Sequence, residues 1–542
     1  QKACPAGTDI PAYLTAIAEG DPEEAYRINL RDNIFPAVLG RVCSRPCEAA
    51  CRHGHEGLGD SVAICFSKRS AADFKSENRI LLDPTFPPSG KRVAVVGSGV
   101  AGLAAARNLT LLGHLVTIYE KHSIPGGMLN QGIPEFRLPR EIIEREISQI
   151  TGLGVDIVCN TAIGSDVLLS NLLEDFDAVI MAAGTLKPNL LNLPGHGLDG
   201  IRHGLDFLRE VNEAGTADIG RRVIVIGGGF TAMDCARTAQ RMGVQTAQWD
   251  LKVLYRRSQS EMRVAPGELE ELETECIPLE CHATPLAYLG TEGKVAGMRF
   301  QRTETGDEFE IPADAVLLAT GQFPDFSWAG DIAEIDSVNL NSKLFAAGDY
   351  AQGATSLIDA IAHAKRIALD VDCFLMGRDR LETRVQVENA TETGRTREMD
   401  FIERQPMPTL PLADRDLPSE VERGYESANA IEEAKRCYRC NYKFEIDQDK
   451  CIKCDWCLKA KPRPECILML KELKHDEAGR VVSWEATDTV REMNMIWINS
   501  DECIRCNACI KACPVDAINL QKVSLCTEPA IPHSNLDLED SP

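Results

Sequence analysis

The cysteines of this chain fall into groups whose spacing is that of metal-cluster ligands. Cys503-x2-Cys506-x2-Cys509-x3-Cys513-Pro514 is the run in which three thiolates wrap one [4Fe–4S] cubane and the fourth crosses to a neighbouring one. Its partner upstream is Cys451-x2-Cys454-x2-Cys457, where Lys461 stands in place of the cysteine expected before Pro462 and Cys466 follows. The crossing rule assigns Cys451, Cys454, Cys457 and Cys513 to one cubane. It assigns Cys503, Cys506 and Cys509 to the other, with Cys466 as fourth ligand after a displaced loop. Zinc takes four-cysteine sets too, but the paired runs favour iron and sulfide. Cys437-x2-Cys440 lies just before this unit and is two thiolates short of a site, so it reads equally as part of a shared site or as free thiols. Near the start, Cys4-Pro5 and Cys43-x3-Cys47-x3-Cys51 supply four thiolates, which by local spacing suit zinc or a cubane. His53 and His55 read as solvent histidines.

Two further constellations could bind dinucleotides. Gly97-Ser98-Gly99-Val100-Ala101-Gly102 follows a short apolar run and precedes a helix-like one. Gly97 serves the tight turn, Gly99 lets a pyrophosphate approach, and Gly102 lets helix and strand pack, with the helix N-terminus facing the phosphates. Glu120 closes the next apolar run about twenty residues on, where an acid accepts hydrogen bonds from a ribose. Gly126-Gly127-Met128 and Leu344-Phe345-Ala346-Ala347-Gly348-Asp349 favour FAD here. Asp349 suits the ribityl chain, and a helix opening near Thr355 would aim its positive end at the flavin ring. The second constellation, Gly227-Gly228-Gly229-Phe230-Thr231-Ala232, is the variant with Ala232 as its last small residue. Its strand end carries Arg256 and Arg257 where the first carries an acid. Guanidinium groups there suit the 2′-phosphate of NADPH, whereas NADH would want a carboxylate. Hydride transfer needs no acid–base side chain, so no catalytic residue is assigned. Where flavin disulfide reductases keep a redox pair, this chain reads Gly126-Gly127-Met128-Leu129, so a redox disulfide is not expected.

These residues require elements to position them. Val93–Val96 and Val223–Ile226 are apolar runs ending in glycine turns, and each predicts a strand–turn–helix unit. The expected architecture is α/β: two Rossmann-like dinucleotide-binding domains, the nucleotide domain inserted in the FAD domain, an N-terminal helical iron–sulfur domain and a C-terminal α+β ferredoxin-like domain. The expected boundaries are 1–90 for the N-terminal domain, 91–200 and 322–376 for the two parts of the FAD domain, and 201–321 for the NAD(P)H domain. A proline-rich polar linker over 377–436, a ferredoxin domain over 437–526 and an acidic tail over 527–542 complete the chain.

Composition sets outer limits. The chain has 542 residues, a net charge of −24 and 21 cysteines. An acidic surface argues against nucleic-acid binding, which needs Lys/Arg stripes. No apolar run reaches the length of a membrane span. Clustered cysteines without a secretory signal fit a reducing compartment, so the expected location is cytoplasmic.

Taken together, these motifs resemble the glutamate synthase small-subunit family, which includes the flavin–NADPH subunit of NADH-dependent ferredoxin:NADP oxidoreductases. The resemblance covers about residues 3–376. It rests on Cys4-Pro5-Ala6-Gly7-Thr8-Asp9-Ile10-Pro11, Gly40-Arg41-Val42-Cys43 through Cys51, the first glycine turn, Gly132-Ile133-Pro134-Glu135-Phe136-Arg137-Leu138-Pro139, Tyr255-Arg256-Arg257 and Ala347-Gly348-Asp349. It implies that Cys4, Cys43, Cys47 and Cys51 bind a [4Fe–4S] cluster, that FAD fills the first site and that NADPH fills the second. Leu39 stands where some relatives have cysteine. No amidotransferase region is present, so glutamate synthesis by this chain alone is not implied. The expectation is an oxidoreductase with FAD, NADPH (or NADH) and three [4Fe–4S] clusters. It would exchange electrons with other redox subunits or a ferredoxin inside a hetero-oligomer. The rival readings are an NADH-using or electron-bifurcating variant, and a non-catalytic relay or scaffold subunit of a hydrogenase or formate dehydrogenase complex.

Overall fold

The computed structural model describes residues 2–55, 57–76, 80–244, 250–332 and 343–530. Two five-stranded parallel sheets form its centre. The first is ordered Leu344–Ala346, Ala178–Met181, Arg92–Val96, Leu115–Tyr119, Asp156–Val158; the second is ordered Ile201–His203, Ala315–Leu318, Val223–Ile226, Leu251–Leu254, Leu279–Glu280. All strands of the second fall between two adjacent strands of the first, so the second domain is an insertion in the first. The chain passes between them twice, and the two crossings, Lys187–Pro188 and Gln322–Phe323, pair antiparallel.

The central strands are buried on both faces. Val93, Ala94 and Val95 are fully buried, as are Val223, Ile224 and Val225, which is why they read as unbroken apolar runs rather than alternating ones. The helix Val100–Leu111 lies close on the first sheet because Ala104, Ala105 and Ala106 leave no bulk between them. The helix Leu357–Met376 is capped by Ser356 at its start and by Gly377, in the left-handed conformation, at its end.

Ahead of the first sheet, the helices Ile10–Ala18, Pro22–Asp32, Pro36–Val42 and Ile64–Phe74 make a helical unit with its own core around Tyr13, Leu14, Ile17 and Phe66. It is fastened to the first Rossmann unit by Glu146, whose carboxylate accepts the N–H groups of Ala37 and Val38 at 2.9 Å and the Tyr26 hydroxyl at 3.0 Å.

The stretch 377–436, expected as a linker, is structured. Leu381–Ala390 is a strand paired along its whole length with Ile518–Pro529, a strand that runs across the expected start of the tail at 527. Farther on, Arg415 meets Glu271 and Glu275 of the second Rossmann unit at 2.7 Å, the Val421 N–H donates to the Phe136 carbonyl, and Glu420 meets Arg41 of the helical unit at 2.7 Å. This stretch is therefore a strap binding three units. Its polarity reflects ion pairs with buried arginines and a strand exposed on both faces. From 531 onward the acidic tail lies outside the described residues. The cysteine-rich end carries two three-stranded antiparallel sheets and short helices opening at Trp456 and Ala508.

Candidate functional site

The first glycine turn is built so that side chains do not fit. A Cβ on Gly97 would stand 2.6 Å from the Ala182 carbonyl oxygen, and one on Gly102 would stand 1.9 Å from that of Gly97. Gly99 has nothing within 4 Å of such an atom, so its backbone faces open space. That space is a cavity of about 600 Å³. Gly97, Gly99, Glu120, Gly127, Met128, Asp349 and Thr355 all line it, while Gly102 packs the helix beneath. Glu120 is buried. One carboxylate oxygen accepts the Ser98 N–H and hydroxyl, and the other accepts the His122 N–H. Asp349 accepts the Thr355 hydroxyl at 2.5 Å and its N–H at 3.1 Å, and burial raises its pKa. The open glycine, the two helix starts and the carboxylates along one wall fit an elongated dinucleotide with a pyrophosphate at its bend.

The cavity does not stop at the first domain. Phe230, Thr231 and Asp234, in the first turns of the helix Phe230–Arg241, form its opposite wall. The two units are pinned there by Arg137, which pairs with Asp234 at 2.6 Å and with Glu268. Val42 and Ser44, on either side of Cys43, also line the cavity, which sets Cys43 at its edge.

The second glycine turn repeats the first. A Cβ on Gly227 would meet the Ala319 carbonyl oxygen at 2.3 Å, Gly229 is open, and Ala232 is fully buried under the helix. Arg256 and Arg257 follow the strand Leu251–Leu254 and are exposed. Neither they nor Gly227, Gly229 and Ala232 line the 600 Å³ cavity. A third exposed arginine, Arg263, is held at that turn by its N–H on the Gly228 carbonyl at 3.1 Å. Sequence reading missed it because it lies outside the strand-end pattern.

The cysteines regroup. Cys4, Cys43 and Cys47 gather around the buried Lys68 with Cys65, a fourth thiol absent from the sequence reading. Burial lowers the pKa of that ammonium, and the charge of the surrounding sulfurs as thiolates raises it by more. Cys65 is buried beside Cys43 and Cys47, and its N–H is fixed by Glu48 at 2.9 Å. Cys51 instead neighbours Cys437 and Cys440. His53, expected in solvent, is 3% exposed and stacks on Tyr438 at 4.7 Å. In the ferredoxin unit, Cys466 comes beside Cys503 and Cys506. The displaced loop has a visible cause, since the Lys461 ammonium donates to the Pro464 and Ile467 carbonyls and folds Cys466 inward. Cys451, Cys454 and Cys457 are neighbours, and the Cys513 sulfur accepts the Ala517 N–H at 3.3 Å. Among the described residues no three His, Cys, Asp or Glu side chains are disposed to hold a single metal ion; a cubane spreads its thiolates more widely.

The pyridine nucleotide-disulphide oxidoreductase profile matches residues 91–366. The chain belongs to that family. This NAD(P)H-dependent oxidoreductase also matches the dihydropyrimidine dehydrogenase domain II, 4Fe-4S cluster profile over residues 1–80 and a 4Fe-4S binding domain over residues 496–519. It is 34% identical over 507 residues to the NADP(+)-dependent formate dehydrogenase subunit beta of Moorella thermoacetica, covering 81% of this chain and 70% of that one. It is 33% identical over 507 residues to the NADPH-Fe(3+) oxidoreductase subunit beta of Geobacter sulfurreducens, covering 81% and 74%. It is 33% identical over 411 residues to the glutamate synthase [NADPH] small chain of Escherichia coli, covering 67% and 86%. The resemblance read from the motifs is thus the relationship found. Among the described residues no helix is long and apolar enough to cross a membrane.

Proposed function

We propose that this oxidoreductase is the NADPH-oxidising, electron-input subunit of a larger redox complex, cytoplasmic, with FAD in the cavity, NADPH at the second glycine turn and one-electron transfer to a partner redox subunit or a ferredoxin. The observation that carries this reading is a cavity walled by both Rossmann units and bordered by the residues flanking Cys43. Gly97, Gly99 and Gly102 shape the cradle for the pyrophosphate, and Glu120, Gly127, Met128, Asp349 and Thr355 line the remainder. Gly227, Gly229 and Ala232 shape the second cradle, while Arg256 and Arg257, with Arg263 beside them, supply guanidinium donors for a 2′-phosphate. FAD, when bound, converts a two-electron hydride into single electrons, which cubanes require. The protein's part is to hold FAD in the cavity and NADPH at the second glycine turn, whose helix Phe230–Arg241 reaches the cavity through Phe230, Thr231 and Asp234. Cys4, Cys43 and Cys47 serve a cubane at the cavity edge, and the Cys451 and Cys503 runs, with Cys466 and Cys513, serve two more.

Anaerobic mixing with NADPH should bleach the flavin absorbance and support reduction of an artificial dye, with NADH far slower. A chain that binds FAD yet shows neither with either nucleotide would be a relay subunit, not an input one.

A further inference from the structure

We propose that Cys51, Cys437 and Cys440 hold a further [4Fe–4S] cluster between the N-terminal set and the ferredoxin unit, and that Cys65 takes the place in the N-terminal set that Cys51 leaves.

The backbone of the Cys437 loop carries the first part of the argument. Cys437-Tyr438-Arg439-Cys440 repeats the conformation of Cys503-Ile504-Arg505-Cys506. Arg439 has φ 50° and Arg505 φ 56°, a left-handed region that non-glycine residues seldom enter. In both loops this turn aims the N–H of that residue at the preceding sulfur, at 3.4 Å in each. Arg45 does the same for Cys43, with φ 59° and 3.5 Å. An N–H donated to sulfur favours the thiolate that iron requires. Two of these three loops belong to cluster sites already proposed. A pair of free thiols has no use for the same strained turn.

Position carries the second part. Cys51 and Cys437 pack, together with Cys47, on one apolar core, that of Tyr13, Ile17 and Phe66. The chain leaving Cys51 is locked to the loop by the His53–Tyr438 stack at 4.7 Å. The helix Ser427–Lys435, which delivers Cys437, is docked through Glu433 on the Ala63 N–H at 2.7 Å. Three thiols from opposite ends of the sequence are thereby held together and fix three corners of a cubane; the fourth corner takes a ligand other than these three. The same helical turn reaches the ferredoxin unit, where Arg52 donates to the Cys503 carbonyl at 3.1 Å and to that of Ser500 at 2.9 Å. The new site therefore lies between the cysteines at the cavity edge and Cys503, in line with one-electron transfer from one end to the other.

The test is iron and acid-labile sulfide content, with EPR spin integration of the dithionite-reduced full chain prepared anaerobically. Wild type should return about sixteen iron per chain rather than about twelve. Cys51→Ser should lose about four iron, Cys437→Ser/Cys440→Ser the same four, and the triple variant no more than either. Cys65→Ser should alter a different EPR signal, one that Cys51→Ser leaves intact. Retained FAD absorbance reports that each variant is folded, and where a variant loses FAD the wild-type count decides. About twelve iron in wild type, or an unchanged spectrum in Cys437→Ser/Cys440→Ser, would overturn the proposal, as would about eight iron lost in the triple variant. Failure of NADPH to reduce the flavin would strike the proposed function and leave these counts untouched.

Discussion

The two Rossmann units share a five-stranded parallel sheet, a glycine turn and buried small residues, yet their strand ends differ. Glu120 is buried and its carboxylate is tied to the glycine turn it serves. Arg256 and Arg257 stand in solvent. A cradle whose acid is already hydrogen-bonded is set before the ligand arrives, which suits a nucleotide that stays. Exposed guanidinium groups are free to seize and release a phosphate, which suits one that exchanges each turnover. On the proposed function, the strand-end residues make one scaffold into a resident site and a visiting site.

The largest break in that comparison comes at the turn of the resident site. Gly102→Ala places a methyl 1.9 Å from the Gly97 carbonyl oxygen, so helix and turn cannot both keep their places. The variant should purify without FAD, read by absorbance. Bound FAD at the wild-type ratio would show that the turn is not the cradle. For the visiting site, Arg256→Ala/Arg257→Ala should raise KM for NADPH about 10- to 100-fold, or about 1.4–2.7 kcal/mol, and leave KM for NADH nearly unchanged. Equal effects on both would mean the pair does not read the 2′-phosphate.

Both glycine turns were legible because each is a local pattern, and the inserted order of the domains because the segment Leu344–Asp349 follows the second turn in the chain. Val93–Val96 and Val223–Ile226 are buried on two faces, so composition alone betrays them. Cys65 was not legible, since it lies in no Cys-x2-Cys run and gains meaning only when its helix packs beside Cys43. Cys51 looked like the end of one motif, and only tertiary structure brings Cys437 and Cys440 beside it. The strap was hidden for the opposite reason. Arg415 and Glu420 fall in a polar, proline-rich stretch that reads as a linker, yet their partners Glu275 and Arg41 are buried.

The units also differ in how they are anchored, and pH separates the anchors. In the second unit Glu275 is surrounded by Arg237, Arg241 and Arg415 at 2.7–2.8 Å. Burial raises its pKa, but the arginines outweigh it and hold the carboxyl at about 2. A depressed acid contributes stability that is present above its ordinary pKa of 4.5 and is lost as pH falls toward 2. Glu275→Gln should therefore cost about 2–3 kcal/mol at pH 7. The difference should shrink as denaturation midpoints are measured at lower pH; a constant difference down to pH 3 would show that the charge is not what matters.

Glu146, anchoring the first unit to the helical one, has the opposite sign. Burial pushes its pKa up from 4.5 to about 7, against the pull of the Ala37 and Val38 N–H groups and the Tyr26 hydroxyl. The folded state then keeps a proton that the unfolded chain has released, so this anchor's contribution is complete below pH 4.5 and is lost as pH rises through 7. Glu146→Gln keeps a carbonyl acceptor and carries no charge at any pH. Its midpoint should lie within about 1 kcal/mol of wild type, since one acceptor is lost while a buried charge is avoided. The informative readout is the slope: the fall in wild-type stability between pH 5 and 7 should flatten in the variant, while the acid limb set by Glu275 stays in place. A variant with the wild-type slope would mean that Glu146 is ionised in the folded state across this range. The two units would then be anchored by charges of the same kind.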